Sequence, residues 1–185
     1  MRAKALEFTE FKHPGLGVSL YNVDFSFILN FPDLLRKLIN LMSNLIRGEV
    51  NVESIDYFGG ILTKGVVLSS ILAYRFNKPM IIFNSKGVEI YGGIRSESRV
   101  LIIDDVIMTG GTLRKCIRRI RERIGGEVGD VVVALDRMCG GREMMESMNV
   151  KVHALASIVD VAEELLSTGE LEREQYEVII GEVGR

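Results

Sequence analysis

Two adjacent carboxylates, Asp104 and Asp105, stand just before a glycine turn, Thr109-Gly110-Gly111-Thr112, and that spacing joins two opposite chemistries. Backbone N–H groups at a glycine turn that opens a helix converge on an anion, most often a phosphate. Carboxylates beside such a turn hold what a phosphate cradle repels: a cation, or the hydroxyls of a sugar whose reacting carbon becomes positive. A plain acidic turn after a buried strand accounts for the pattern less well, because neighbouring aspartates repel one another and need a partner. A second anion-directed segment is Thr63-Lys64-Gly65, which offers amides and one ammonium; taken alone, Lys64 reads as a solvated loop lysine. A third is Asp136-Arg137, which closes the apolar run Val131-Val132-Val133-Ala134-Leu135 and precedes Gly140-Gly141.

These groups need rigid elements behind them. Val100-Leu101-Ile102-Ile103 is an unbroken apolar run, as in a strand buried on both faces, and Asp104-Asp105 falls where it should emerge. After the glycine turn, a helix over 112–124 places Leu113, Cys116, Ile117, Ile120 and Ile124 on one face. Arg114, Lys115, Arg118, Arg119 and Arg121 lie on the other, as a solvated surface. Cys116 is a core residue in this reading rather than a nucleophile. Strands are also expected over 54–58, ending at Gly59-Gly60, and over 79–83, 130–135 and 150–156. Helices are expected over 66–76, with Val67, Ser70, Ile71 and Tyr74 in register, and over 158–166. A short helix carries Met144, Met145 and Met148 as core filler. A loop or hairpin spans 84–93, and a Glu-rich tail runs from 170. This alternation predicts an α/β fold: a central parallel sheet with helices on both faces and ligands at the carboxyl ends of the strands. All three charged segments would meet there.

Upstream, Pro32 suits a first helical turn and Gly48 a helix end. Between them Leu34, Leu35, Leu38, Leu41, Met42 and Leu45 form one apolar stripe. Residues 21–25 suggest an edge strand, and residues 1–20 an arm or short hood. At 185 residues the chain is expected to be a single domain: hood and N-terminal helix over 1–50, an α/β core over 51–168, and a tail over 169–185.

A formal net charge of -2 gives no global basic field for nucleic acid. No apolar run approaches bilayer length, and residues 1–4 are not followed by a signal-peptide core. Cys116 and Cys139 are far apart and form no C-x-x-C, which suits a reduced cytoplasm and argues against a disulfide framework or zinc site. With His13 and His153 the only histidines, a histidine-rich metal centre is excluded, and each is read as structural or superficial.

With those residues in view, the chain resembles the type I phosphoribosyltransferases, and within them the orotate enzymes. Residues 102–112 resemble the family's signature for phosphoribosyl pyrophosphate (PRPP), and Leu62-Thr63-Lys64-Gly65 its pyrophosphate loop. Tyr21-Asn22-Val23-Asp24 resembles the hood over the base, and Asp136-Arg137 followed by Gly140-Gly141 the stretch whose arginine binds orotate. The resemblance implies transfer of phosphoribose from PRPP to orotate in pyrimidine synthesis, by a cytoplasmic homodimer. Mg²⁺ would travel with PRPP, with no direct protein ligand. It implies that Met108, Thr109, Gly110, Gly111 and Thr112 hold the 5-phosphate region, Asp104 and Asp105 the ribose hydroxyls, and Thr63, Lys64 and Gly65 the pyrophosphate. Arg137 would orient the base, its planar fork matching a carboxylate and carbonyl edge. Neither DNA nor a membrane is an implied partner, and RNA on the basic helix is the disfavoured alternative.

Two segments depart from the family. Met108 replaces a usual threonine. In the mobile catalytic loop, residues 83–92, only Lys86 matches a PRPP-binding and catalytic lysine; Ser85 stands for an arginine, Glu89 for a second lysine, and the loop is shortened without a histidine. Two alternatives therefore remain open: a catalytically weakened PRPP- or nucleotide-binding regulator, and an enzyme for another base.

Overall fold

The computed structural model describes residues 5–13, 15–84, 86 and 89–184. Two short antiparallel ladders form the hood: β1 (Leu6–Glu7) with β4 (Asn22–Val23), and β2 (Phe11–His13) with β3 (Gly17–Ser19). A 3₁₀ turn, Phe25–Asn30, leads into α1 (Pro32–Glu49). The core then alternates: β5 (Tyr57–Ile61), α2 (Lys64–Phe76), β6 (Met80–Phe83), β7 (Ile90–Tyr91), β8 (Val100–Ile107), α3 (Gly111–Ile124), β9 (Asp130–Asp136), α4 (Gly141–Glu146), β10 (Lys151–Ser157) and α5 (Ile158–Ser167). A last helix, α6, spans Arg173–Ile180.

One six-stranded sheet, in the order β10-β9-β8-β5-β6-β7, carries the fold. All its neighbours are parallel except the edge strand β7, which returns from β6 as a hairpin. The unbroken apolar runs are explained by two-sided burial. Val100 and Ile102 of β8 pack with Leu113, Cys116, Ile117 and Ile120 of α3, while Leu101 and Ile103 face Leu38, Met42 and Ile46 of α1 and Leu68 and Leu72 of α2. Burial pushes the Cys116 thiol up to about 12, so it stays protonated and acts as a small apolar residue.

Several expected boundaries are corrected. β8 does not end at its acids: Asp104 and Asp105 lie within the strand, and Ile107 beyond them is buried. Gly59 and Gly60 lie inside β5 instead of closing it, because Phe83 crowds one and the first turn of α2 the other. The buried face of α1 is Leu38, Ile39, Met42 and Ile46, leaving Leu34 and Leu41 exposed; that of α2 is Leu68, Leu72 and Ala73, and Tyr74 is 90% exposed. In both helices several apolar periodicities fit the sequence, and the sheet selects one. Residues 21–25 pair with the hood rather than the sheet edge. The Glu-rich tail contains α6, whose Ile179 joins Tyr21, Val23, Leu135, Ile158 and Ala162 in a third apolar cluster. No helix among the described residues is long and apolar enough to cross a membrane.

Candidate active site

Strand register assembles the site. Gly60 of β5 pairs with Ile103, Asp104 of β8 with Val133, and Ile107 with Asp136, so the carboxyl ends of β5, β8 and β9 open side by side. Asp104 is a partly buried acid whose Oδ1 accepts the Asp105 N–H at 3.0 Å. Burial above all, and then the neighbouring Asp105 carboxylate, hold its carboxyl well above the usual range. Gly65 lies so close that a Cβ there would overlap Asp104 Oδ1. Only glycine lets the first turn of α2 come this near the acid.

Lys64, the first residue of α2, lies between core and hood. Its Nζ is 2.7 Å from Asp24 Oδ1 and 3.8 Å from Asp105 Oδ2. Asp24 also caps the 3₁₀ turn by accepting the Ser26 N–H at 2.9 Å and its hydroxyl at 2.8 Å. Burial opposes its ionisation, but Lys64 and Ser26 outweigh that and hold the carboxyl at about 2.

Gly110, at φ 72°, turns the chain into α3, whose first amides lack helical acceptors. A cavity of about 470 Å³ opens over this turn, lined by Asp104, Met108, Thr109, Gly110, Gly111 and Thr112, with His13 and Gly15 of the hood among its other lining residues. A second, of about 260 Å³, is lined by Leu62, Thr63, Lys64, Asp104, Asp105 and Thr112. Asp104 and Thr112 belong to both. The arrangement gives an anion cradle, a pair of acids and a second anion-directed loop in one continuous cleft. The Leu62-Thr63 peptide in that loop is cis.

Arg137 lies behind this cleft, 1% exposed. Its Nε donates to Tyr21 Oη at 3.2 Å, and its Nη2 to Ser19 Oγ at 3.0 Å and Glu182 Oε2 at 3.1 Å; the Tyr21 ring stacks 4.0 Å from its Cζ. Nη1 meets only the Met108 sulfur among the described residues, at 3.8 Å. Much of the guanidinium fork expected to face a ligand is thus engaged by the protein itself. Asp136 is turned away, accepting from Arg142 Nε at 2.9 Å and the Met138 N–H at 2.8 Å.

The cleft brings together Thr63, Lys64, Asp104, Asp105, Met108, Thr109, Gly110, Gly111 and Thr112. Lys86 is an exposed residue of the β6–β7 hairpin and lines neither cavity. Ser85, Gly87 and Val88 of that loop, like residues 1–4, lie outside the described residues. His13, read from sequence as structural or superficial, borders the larger of these two cavities; burial and then the Arg137 charge lower its pKa, and its Nε2 is buried without a partner among the described residues. His153, by contrast, is buried at the other end of β10 against Asp130, at 2.7 Å. Ser19 and Glu182 carried no motif that would have singled them out.

A glycine turn that opens a helix beside paired acids, on a parallel sheet with a hood, is the build of a phosphoribosyltransferase. Residues 26–154 match the phosphoribosyl transferase domain family, and the chain belongs to it. Orotate phosphoribosyltransferase of Cenarchaeum symbiosum is 31% identical over 171 residues, covering 89% of this chain and 85% of that one. The crystal structure of orotate phosphoribosyltransferase from Aeropyrum pernix superposes with a TM-score of 0.78 at 24% identity, covering 88% and 94% of the two chains. Adenine phosphoribosyltransferase from Rhodothermus marinus gives a TM-score of 0.64 at 26% identity, covering 84% and 95%.

Proposed function

We propose that this protein transfers phosphoribose from PRPP to orotate, forming orotidine 5'-monophosphate and pyrophosphate in pyrimidine nucleotide synthesis. The observation that carries the reading is the continuous cleft in which the α3 glycine turn, Asp104-Asp105 and Thr63-Lys64 share walls. The 5-phosphate takes the amides and hydroxyls of Thr109 to Thr112, a helix N-terminus being a preformed anion seat. Asp104 and Asp105 meet the ribose hydroxyls and favour positive charge at the anomeric carbon as its bond to pyrophosphate loosens. Pyrophosphate leaves with the bonding electron pair toward Thr63, Lys64 and Gly65, and a ring nitrogen of the base forms the new bond and loses its proton to solvent. Catalysis of this kind rests on positioning and preorganised charge.

Mg²⁺ would come with PRPP, without a direct protein ligand, and would supply charge neutralisation for pyrophosphate. The acids beside the pyrophosphate loop suit a cation carried by the substrate's own oxygens. Lys86 supplies further charge to the leaving group from the β6–β7 hairpin, and the Arg137 side of the cleft receives the base. The working form is a cytoplasmic homodimer. The test follows orotate absorbance after PRPP and Mg²⁺ are added to purified protein. Loss of orotate at an enzymatic rate is expected. A flat trace, with PRPP binding verified calorimetrically, would overturn the orotate assignment and favour a regulator or another base.

A further inference from the structure

A guanidinium that is 1% exposed is a buried charge, and it is tolerated only with a counter-charge and acceptors. Asp136, its sequence neighbour, does not serve, being turned to Arg142 and Met138. The carboxylate on Arg137 comes instead from Glu182, in the turn after α6 and 45 positions away in sequence. Glu182 is itself 2% exposed and firmly held. The Leu20 N–H donates to its Oε1 at 2.6 Å, and Ser19 Oγ lies 2.7 Å from its Oε2. The same turn is tied to the Arg137 loop by the Gly184 N–H, which donates to Met138 O at 2.8 Å. One carboxylate therefore joins three segments that are remote in sequence: the hood, the loop after β9 and the turn after α6.

That network divides the guanidinium. Nε is taken by Tyr21 and Nη2 by Ser19 and Glu182, while among the described residues Nη1 has only the Met108 thioether, a weak acceptor on a flexible side chain. Met108 lines the cavity over the glycine turn, so Nη1 is the nitrogen in contact with a side chain of the cavity wall. A carbonyl or carboxylate oxygen of a base is a far stronger acceptor than a thioether and would replace it as Met108 swings aside.

We propose that Glu182 is a positioning residue for the acceptor base: with Ser19 it fixes Arg137 through Nη2, so that Nη1 alone is presented to the base. This rests on the reading of Arg137 as the base-binding residue, and it replaces a two-pronged contact with a single-nitrogen one. A shift of the carboxylate re-aims Nη1 without touching the phosphate cradle or the acids.

The decisive variant is Glu182→Asp in the full chain, which keeps the counter-charge but shortens its reach by one methylene. Wild-type orotate turnover is measured first; if there is none, the functional reading fails and the positioning role falls with it. Given turnover, the variant should raise KM for orotate about tenfold or more, as expected for loss of one charge-assisted hydrogen bond, with calorimetric PRPP affinity unchanged. Ser19→Ala, which also keeps the charge, should shift KM in the same direction by less. Unchanged orotate KM in a variant with a lowered Tm would make Glu182 a purely structural anchor and overturn the proposal. So would a fall in KM, which would mean that Glu182 competes with the substrate carboxylate.

Discussion

Lys64 Nζ lies 2.7 Å from Asp24 Oδ1, and this one ion pair joins the hood to the first turn of α2. Asp105 Oδ2, at 3.8 Å, shares the ammonium, so the lysine assigned to pyrophosphate also restrains the hood over the acids. Asp24→Asn removes the hood's hold. With Asp24 one-quarter and Lys64 about one-third exposed, the expected loss is modest, ~1 kcal/mol at neutral pH. The pH dependence has a definite sign. Asp24 is held at about 2 in the folded protein against 3.8 as reference, so its stabilising contribution is full above the reference value and fades as pH falls toward 2. Urea unfolding of both proteins across that range should show the gap closing on acidification. A gap that stays constant with pH would detach the effect from the ion pair.

Asp104 carries the opposite sign. Burial and Asp105 raise its carboxyl, so the folded state binds a proton more readily than the unfolded chain does. The acid therefore destabilises the unliganded protein increasingly as pH rises above the reference value of 3.8. Asp104→Asn should raise Tm at neutral pH by about 2–4 °C, the equivalent of ~1 kcal/mol in a domain of this size. Turnover should drop by about a hundredfold or more, as when a preorganised charge is lost from a transition state. Calorimetry and the absorbance assay measure the two effects separately. A lower Tm would mean that Asp104 is a structural group, and its strained placement would not then serve catalysis.

Gly65→Ala tests the approach of α2 to the acids. The added Cβ overlaps Asp104 Oδ1 and also meets Ile103 O at 3.0 Å, so either the helix start or the carboxylate must move. The expected cost is about 1–3 kcal/mol of stability, in the range of overpacking a tight site. PRPP affinity should fall with it, whereas Gly48→Ala, where a Cβ meets nothing within 4 Å, should leave PRPP affinity unchanged. Urea unfolding and PRPP calorimetry on the two variants make the comparison. Equal behaviour would show that the close approach has no role in the cleft.

The part of this architecture that was legible in the sequence is the part fixed by local pattern. Two-sided burial makes β8 and β9 continuous apolar runs, and the glycine turn before α3 needs a left-handed residue at Gly110, so the turn could be placed directly, whereas the acids, read as closing the strand, lie inside it. The phase of α1 and α2 could not, because Leu34, Leu41 and Tyr74 fit an apolar stripe as well as the residues that the sheet buries. Gly59 and Gly60 read as a strand end, since glycine usually punctuates; only the neighbouring Phe83 and Ser69 require them inside β5. Glu182 lies in a segment that resembles a solvated acidic tail, and its burial depends on Arg137, a long-range pairing without a local signature.

Arg137 calls for a substitution that respects its burial. Arg137→Ala would strand the Glu182 carboxylate without its counter-ion, and such a break commonly costs about 3–5 kcal/mol, so lost binding and lost folding would be confounded. Arg137→Lys retains a charge for Glu182 but cannot serve Tyr21, Ser19, Glu182 and the base together, because an ammonium is a point donor and not a planar fork. If Arg137 receives the base, this variant should bind PRPP as the wild type does while KM for orotate rises about tenfold or more, the loss of one charge-assisted hydrogen bond. The glycine turn is unaltered, since Thr109 to Thr112 lie on the β8–α3 turn and Arg137 on the loop after β9. Initial-rate kinetics with orotate and with PRPP as the varied substrate separate the two constants. A parallel rise in both would place Arg137 in the general integrity of the cleft, and unchanged orotate KM would remove it from base recognition.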